Sequence, residues 1–146
     1  MPLPPKLQEI VDDFAGMTRE EKLETLIGYA ETFPPLPERY HEARSKMEPV
    51  PECMTPVFLI AEKEADGGIF FHVDCPPQSP TVRGLASILR QGLDGATPEQ
   101  VLAVPNDFFN RMGLDQVLSM QRMKGFFSIL AHMKRLATEA LGQTSQ

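Results

Sequence analysis

The chain has 146 residues, of which 42% are hydrophobic and 23% charged, with two cysteines and a net charge of −6. That length supports one domain with its own core over residues 1–146, and the two cysteines give no disulfide framework. The longest apolar stretches fall far short of the ~20 residues that cross a bilayer, and no basic start leads into an apolar segment. The expectation is a soluble, cytoplasmic protein with reduced thiols, acting neither in a membrane nor on nucleic acid.

The charge is uneven: residues 1–75 hold 15 acids and 7 bases, whereas residues 76–146 hold 5 acids and 7 bases. From the N-terminus, Pro4-Pro5 opens a helix in which Leu7, Ile10, Val11 and Phe14 recur at one-face spacing, and Gly16 closes it. Thr18 and Glu21 have the spacing of a capping box, in which each side chain satisfies an orphan amide of a second helix. Leu23, Leu26, Ile27 and Ala30 are its expected buried stripe. Pro34 ends it, because it lacks a donor and disfavours helical geometry in Phe33. Residues 38–46 suggest a helical turn, followed by a first strand over residues 45–50.

Residues 57–62 and 69–73 are rich in β-formers, and Asp66-Gly67-Gly68 between them tolerates the positive φ of a hairpin turn. Ser79-Pro80 reads as N-cap and first position of a helix over residues 79–90, burying Val82, Leu85, Ile88 and Leu89, with Gly92 and Gly95 breaking it. Thr97 to Gln100 repeats the capping signature, a short helix follows Pro105, and Gly113 ends that helix. Ser119 caps a long helix over residues 120–141, which offers Met123, Phe127, Leu130, Leu136 and Ala140 to the core, while Gly125 leaves room beside its first turns. Helices, a small antiparallel meander of about three strands, then helices make an α+β domain, with no linker or repeat dividing it.

The chemistry-bearing stretch is Pro49-Val50-Pro51-Glu52-Cys53-Met54-Thr55-Pro56, which leads into the apolar residues 57–60. Three prolines in this loop restrict the reach of Cys53. Cys53 reads either as a small hydrophobe at the start of a core strand or as a reactive thiol. Cys75, at the end of the hairpin strand, has three readings: a buried or rim thiol, a second relay thiol, or part of a metal site with His72 or Asp74. His41, His72 and His132 have no close ligand spacing, which favours structural roles, and no phosphate-binding loop or dinucleotide fingerprint is present.

The order of these pieces resembles the SufE family of sulfur-acceptor proteins. Phe33-Pro34-Pro35-Leu36-Pro37 is similar to the family's Leu-Pro-Pro-Leu-Pro run, and the cysteine loop precedes an apolar strand as it does there. Val82-Arg83-Gly84-Leu85 is similar to the Val-Lys-Gly-Leu of the middle helix. Gly113-Leu114, Leu118-Ser119 and Arg122 followed by Gly125 resemble the C-terminal landmarks. Glu52 stands where the family usually has Gly, and Met54-Thr55-Pro56 replaces Gln-Ser-Gln. The family's Ser-Asp-Ala turn gives way to the segment from Asp74 to Pro80. The chain thus resembles a divergent branch.

The resemblance implies a SufE/IscU-like fold and a role in iron-sulfur cluster assembly. In that role Cys53 is the nucleophile that takes persulfide sulfur from a SufS-type cysteine desulfurase, stimulates it, and passes the sulfur to a downstream scaffold. No cofactor is implied for this chain, since the pyridoxal phosphate belongs to the desulfurase, and no turnover is expected of the chain alone. Thiol chemistry agrees: the thiolate attacks, and a model thiol is only about a tenth ionised at pH 7.5. Glu52 lowers that fraction, so a compensating cation is expected, and Arg122 is the candidate thiolate stabiliser; its alternative is an ion pair holding the last helix. Met54, Val57 and Phe58 are expected to shelter the thiol until the desulfurase docks. Two rival classes stand beside this one: a metal-binding or cluster scaffold using Cys53, Cys75, Asp74 and a histidine, and an adaptor with an inert thiol.

Overall fold

A computed structural model describes residues 3–33, 36, 38–40, 47–51, 56–75 and 79–144. Helix α1 (Pro5–Ala15) buries Leu7, Ile10, Val11 and Phe14, as their spacing requires, and ends at Gly16. Helix α2 (Arg19–Glu31) starts with both bonds of the capping box, Glu21 N–H to Thr18 Oγ1 at 3.2 Å and Thr18 N–H to Glu21 Oε1 at 2.9 Å. A single 3₁₀ turn (Glu38–Tyr40) follows. Strand β1 (Glu48–Pro49) has two residues, shorter than expected, whereas β2 (Phe58–Lys63) and β3 (Ile69–Asp74) have six each. The three form one antiparallel sheet in the order β1-β2-β3.

The turn between β2 and β3 works as its residues suggest. Gly67 sits at φ +90°, which only glycine adopts without strain, and Asp66 Oδ1 accepts from the Gly68 N–H at 3.0 Å. Gly68 leaves no room for a side chain, because a Cβ there would lie 2.8 Å from the Gly95 carbonyl oxygen.

Helix α3 (Pro80–Gly92) packs along α2, α4 (Pro98–Leu102) repeats the capping box with Thr97 and Gln100, and α5 (Phe108–Met112) ends at Gly113 with φ +74°. After a second 3₁₀ turn (Leu114–Gln116), α6 (Met120–Thr144) runs for 25 residues. Among the described residues no helix is long and apolar enough to cross a membrane.

One core runs through the sheet and the helices, and its largest members include Phe14, Phe71, Phe108, Phe109 and Phe126, all fully buried. Several expectations are corrected here. Leu23 and Ile27 are exposed, because α2 meets α3 through Leu26 and Ala30 and fills the remaining flank with the buried Lys22. On α6 the core phase is Met123, Phe126, Leu130, Met133, Ala137 and Ala140, which turns Phe127 outward and leaves Leu136 half-buried. Val82 is also only partly buried. Helix α3 ends at Gly92, as expected, and the glycine also permits close packing, since a Cβ there would come 2.7 Å from Leu7 Cδ1. Ser79 is the N-cap residue of α3 but accepts no capping bond through its side chain.

Candidate functional site

The β1–β2 connection carries the candidate thiol. Glu48 pairs with Leu59 and Pro49 with Phe58, and the Val50 N–H donates to the Val57 carbonyl at 2.9 Å. The loop containing Cys53 is therefore rooted at one end of the sheet. Cys53, with Glu52, Met54 and Thr55, lies outside the described residues. Of its expected shelter, Val57 is 1% exposed and belongs to the core, and Phe58 is half-buried.

Phe58 also pairs with Asp74, which puts Cys75 at that same end of the sheet, one residue beyond the last pair. Alternation along β3 carries Phe71, Val73 and then Cys75 to the core face, where Cys75 is 4% exposed. Its carbonyl accepts from Arg83 Nη1 at 2.5 Å, and the Arg83 guanidinium stacks 4.4 Å from the centre of the Phe33 ring. This contact ties the end of β3 to α3 and to the residues after α2.

His72 and Asp74 fall on the opposite face from Cys75 by the same alternation. His72 is 7% exposed, lies between the rings of Tyr40 and Phe70 at 5.2 and 4.8 Å, and its Nε2 is 3.2 Å from Glu62 Oε1. The Tyr40 hydroxyl donates to the same oxygen. His72 is thus part of a structural polar cluster under the sheet. Among the described residues no three His, Cys, Asp or Glu side chains converge as metal ligands, so Cys75, Asp74 and a histidine do not form the expected alternative site there.

Arg122 is exposed in the first turn of α6, where its N–H donates to the Ser119 Oγ cap at 3.3 Å. Further along, Leu136, Glu139 and Ala140 line a small cavity with Ile60, Ala61 and Lys63, so α6 runs beside β2 in the same direction. The helical rise puts Arg122 about 15 Å upstream of His132 along the axis.

Sequence reasoning missed a cluster beside this loop. The Glu48 side chain, 11% exposed, receives His132 Nδ1 and Arg135 Nε, each at 2.6 Å, and Arg135 Nη2 on its other oxygen. Arg135 Nη1 also donates to Glu139 at 2.8 Å. A separation of 84 and 87 residues leaves no local signal; a histidine and an arginine one turn apart on α6 are all a sequence offers. The Arg135 bonds hold the Glu48 carboxyl below its ordinary value of 4.5, against the opposing effect of burial and with His132 assisting. A carboxyl lowered in the folded state contributes stability that is complete above its unfolded pKa and lost as pH falls through the folded one. Glu48→Gln should therefore be less stable than the parent at pH 7, with the difference closing below pH about 4.5. Denaturant unfolding across a pH series checks this, and a gap that stays constant to low pH would show that the charge contributes nothing.

Residues 8–137 match the profile described as SufE, the Fe-S metabolism associated domain. The chain belongs to the SufE family. It is 42% identical over 138 residues to an uncharacterized SufE-like protein of Mycobacterium tuberculosis, covering 94% of this chain and 95% of that one. A cysteine desulfuration protein SufE of Plasmodium vivax is 27% identical over 144 residues, 95% of this chain and 55% of its own length. The solution structure of a hypothetical protein from Thermus thermophilus superposes with a TM-score of 0.84 at 33% identity, covering 97% of this chain and 99% of that one. The expected SufE-like α+β fold is thus the one observed.

Proposed function

We propose that the protein is a sulfur acceptor and activator for a cysteine desulfurase, and that Cys53 is the acceptor atom. The observation that carries this reading is the burial of Cys75: of the two thiols in the chain, one is 4% exposed within the apolar core. A thiol in that setting is inert, since attack needs a thiolate and access. A sulfur carrier of this family with this sequence is left with Cys53, on a loop rooted at an end of the sheet.

The step is a displacement without net oxidation. The Cys53 thiolate attacks the terminal sulfur of the desulfurase persulfide, a new S–S bond forms on Cys53, the donor S–S bond breaks, and the donor cysteine leaves as thiolate. The terminal proton travels with the transferred sulfur. A second thiolate on a downstream scaffold repeats the exchange and collects it. The pyridoxal phosphate that makes the first persulfide belongs to the desulfurase. Arg122, exposed in the first turn of α6, is the cation proposed to favour the Cys53 thiolate.

Mass spectrometry of the chain after incubation with a SufS-type desulfurase and cysteine tests the reading. The expected result is a gain of about 32 Da, one sulfur, on the Cys53 peptide and none on the Cys75 peptide, reversed by reductant. Unmodified Cys53 during desulfurase turnover would overturn it.

A further inference from the structure

We propose that Glu48 is a positioning residue: gripped by His132 and Arg135 of α6, it fixes the N-terminal root of the Cys53 loop, and so the reach of the Cys53 thiol, relative to the helix that carries Arg122. The inference rests on the sulfur-acceptor reading for its functional half and on geometry alone for its mechanical half.

The two roots of the loop are held by different means. After the loop, Val57 is buried and residues 58–63 pair with β3 along six positions. Before the loop, among the described residues, β1 has two paired residues at the edge of the sheet, and one of them, Pro49, has no N–H to donate. A pair of residues with so few ladder bonds is a weak anchor by itself. Glu48 adds what the ladder lacks. Its carboxylate meets two nitrogens of Arg135 in a fork and His132 Nδ1 at 2.6 Å, from side chains one turn apart on a 25-residue helix. A planar fork fixes direction as well as distance, which a single point charge does not.

Residues 49–51, just past Glu48, are held in place. Pro49 and Pro51 fix their own φ, Val50 is 2% exposed and bonded to Val57, and Cys53 follows two residues after Pro51. Because Arg122 stands on the same helix as His132 and Arg135, one rigid element references the loop root and the candidate cation together.

The test separates local from global effects with the two native thiols. Full-length parent and Glu48→Gln are exposed to N-ethylmaleimide, and labelling of the Cys53 and Cys75 peptides is followed separately. The expected result is a Cys53 rate that rises at least threefold more than the Cys75 rate, whose own change reports the lower global stability of the variant. Sulfur transfer from persulfidated desulfurase in the preformed complex should then slow at least threefold, while the affinity for the desulfurase moves less than twofold. Arg135→Lys, which keeps the charge and loses the fork, should fall between, and it decides by the same criteria if Glu48→Gln does not fold. A Cys53 rate that stays unchanged, or that rises only together with Cys75, overturns the proposal, as does altered labelling with unchanged transfer. If parent Cys53 never takes up sulfur, the acceptor reading is what fails, and the labelling ratio still decides whether Glu48 sets the loop.

Discussion

Replacing Cys53 with serine should abolish sulfur uptake by the chain and return the rate of its desulfurase to that of the enzyme alone, while the domain keeps its cooperative unfolding. Serine occupies nearly the same volume, but its oxygen cannot form the sulfur-sulfur bond that the exchange requires. Cys75→Ser supplies the contrast. Placing a hydroxyl in the apolar core where Cys75 is 4% exposed should destabilise the fold by about 1–3 kcal/mol yet leave uptake on Cys53 intact. If the Cys53→Ser chain stimulates the desulfurase as fully as the parent, activation is an allosteric effect of docking, and the chemistry proposed for this thiol is wrong.

The second large effect lies in the core. A Cβ at Gly84 would stand 2.3 Å from the Leu26 carbonyl oxygen and 2.9 Å from Leu26 Cδ1. The first contact is with backbone, so no rotamer change relieves it, and α2 and α3 must move apart. Gly84→Ala should cost about 3 kcal/mol, at the upper end for added core volume, and lower the melting temperature by roughly 10 °C. The disturbance has a functional side. Arg83, next to Gly84, joins the end of β3 to the Phe33 ring, so parting the helices also loosens that end of the sheet. A Gly84→Ala protein that melts with the parent would show that α2 accommodates the methyl group by sliding.

Much of this architecture was legible in the residues themselves, and the limits have physical causes. The α1 stripe, both capping boxes, the glycine hairpin and the end of α5 at Gly113 rest on local rules that need no partner. The burial of α2 and α6 depends on which neighbour each helix meets. In α2, apolar residues occupy two flanks, and only packing against α3 selects Leu26 and Ala30 over Leu23 and Ile27. In α6, Phe126 and Phe127 are chemically identical neighbours, and the angle at which the helix meets Phe109 decides between them.

The candidate site divides the same way. Cys53 stood out through its prolines, and Arg122 through its place in the family pattern, so both were visible as residues. The Glu48 grip was not, because a carboxylate in a two-residue strand acquires its meaning only when a helix more than 80 residues later comes alongside. Cys75 was ambiguous for a different reason: strand alternation assigns it a face, but which face is the core depends on how the sheet is covered.

The burial of Cys75 also governs what happens between the two halves of a relay. A chain with an accessible second thiol would discharge its own cargo by closing a disulfide and releasing sulfide. With Cys75 buried in the core that also holds Val73 and Phe71, a sulfur carried on Cys53 would have no such exit through the second thiol. On the proposed reading, a sulfur held on Cys53 would wait, a single equivalent for each molecule, until an outside nucleophile comes to fetch it, and the pace of delivery would be set by whoever arrives.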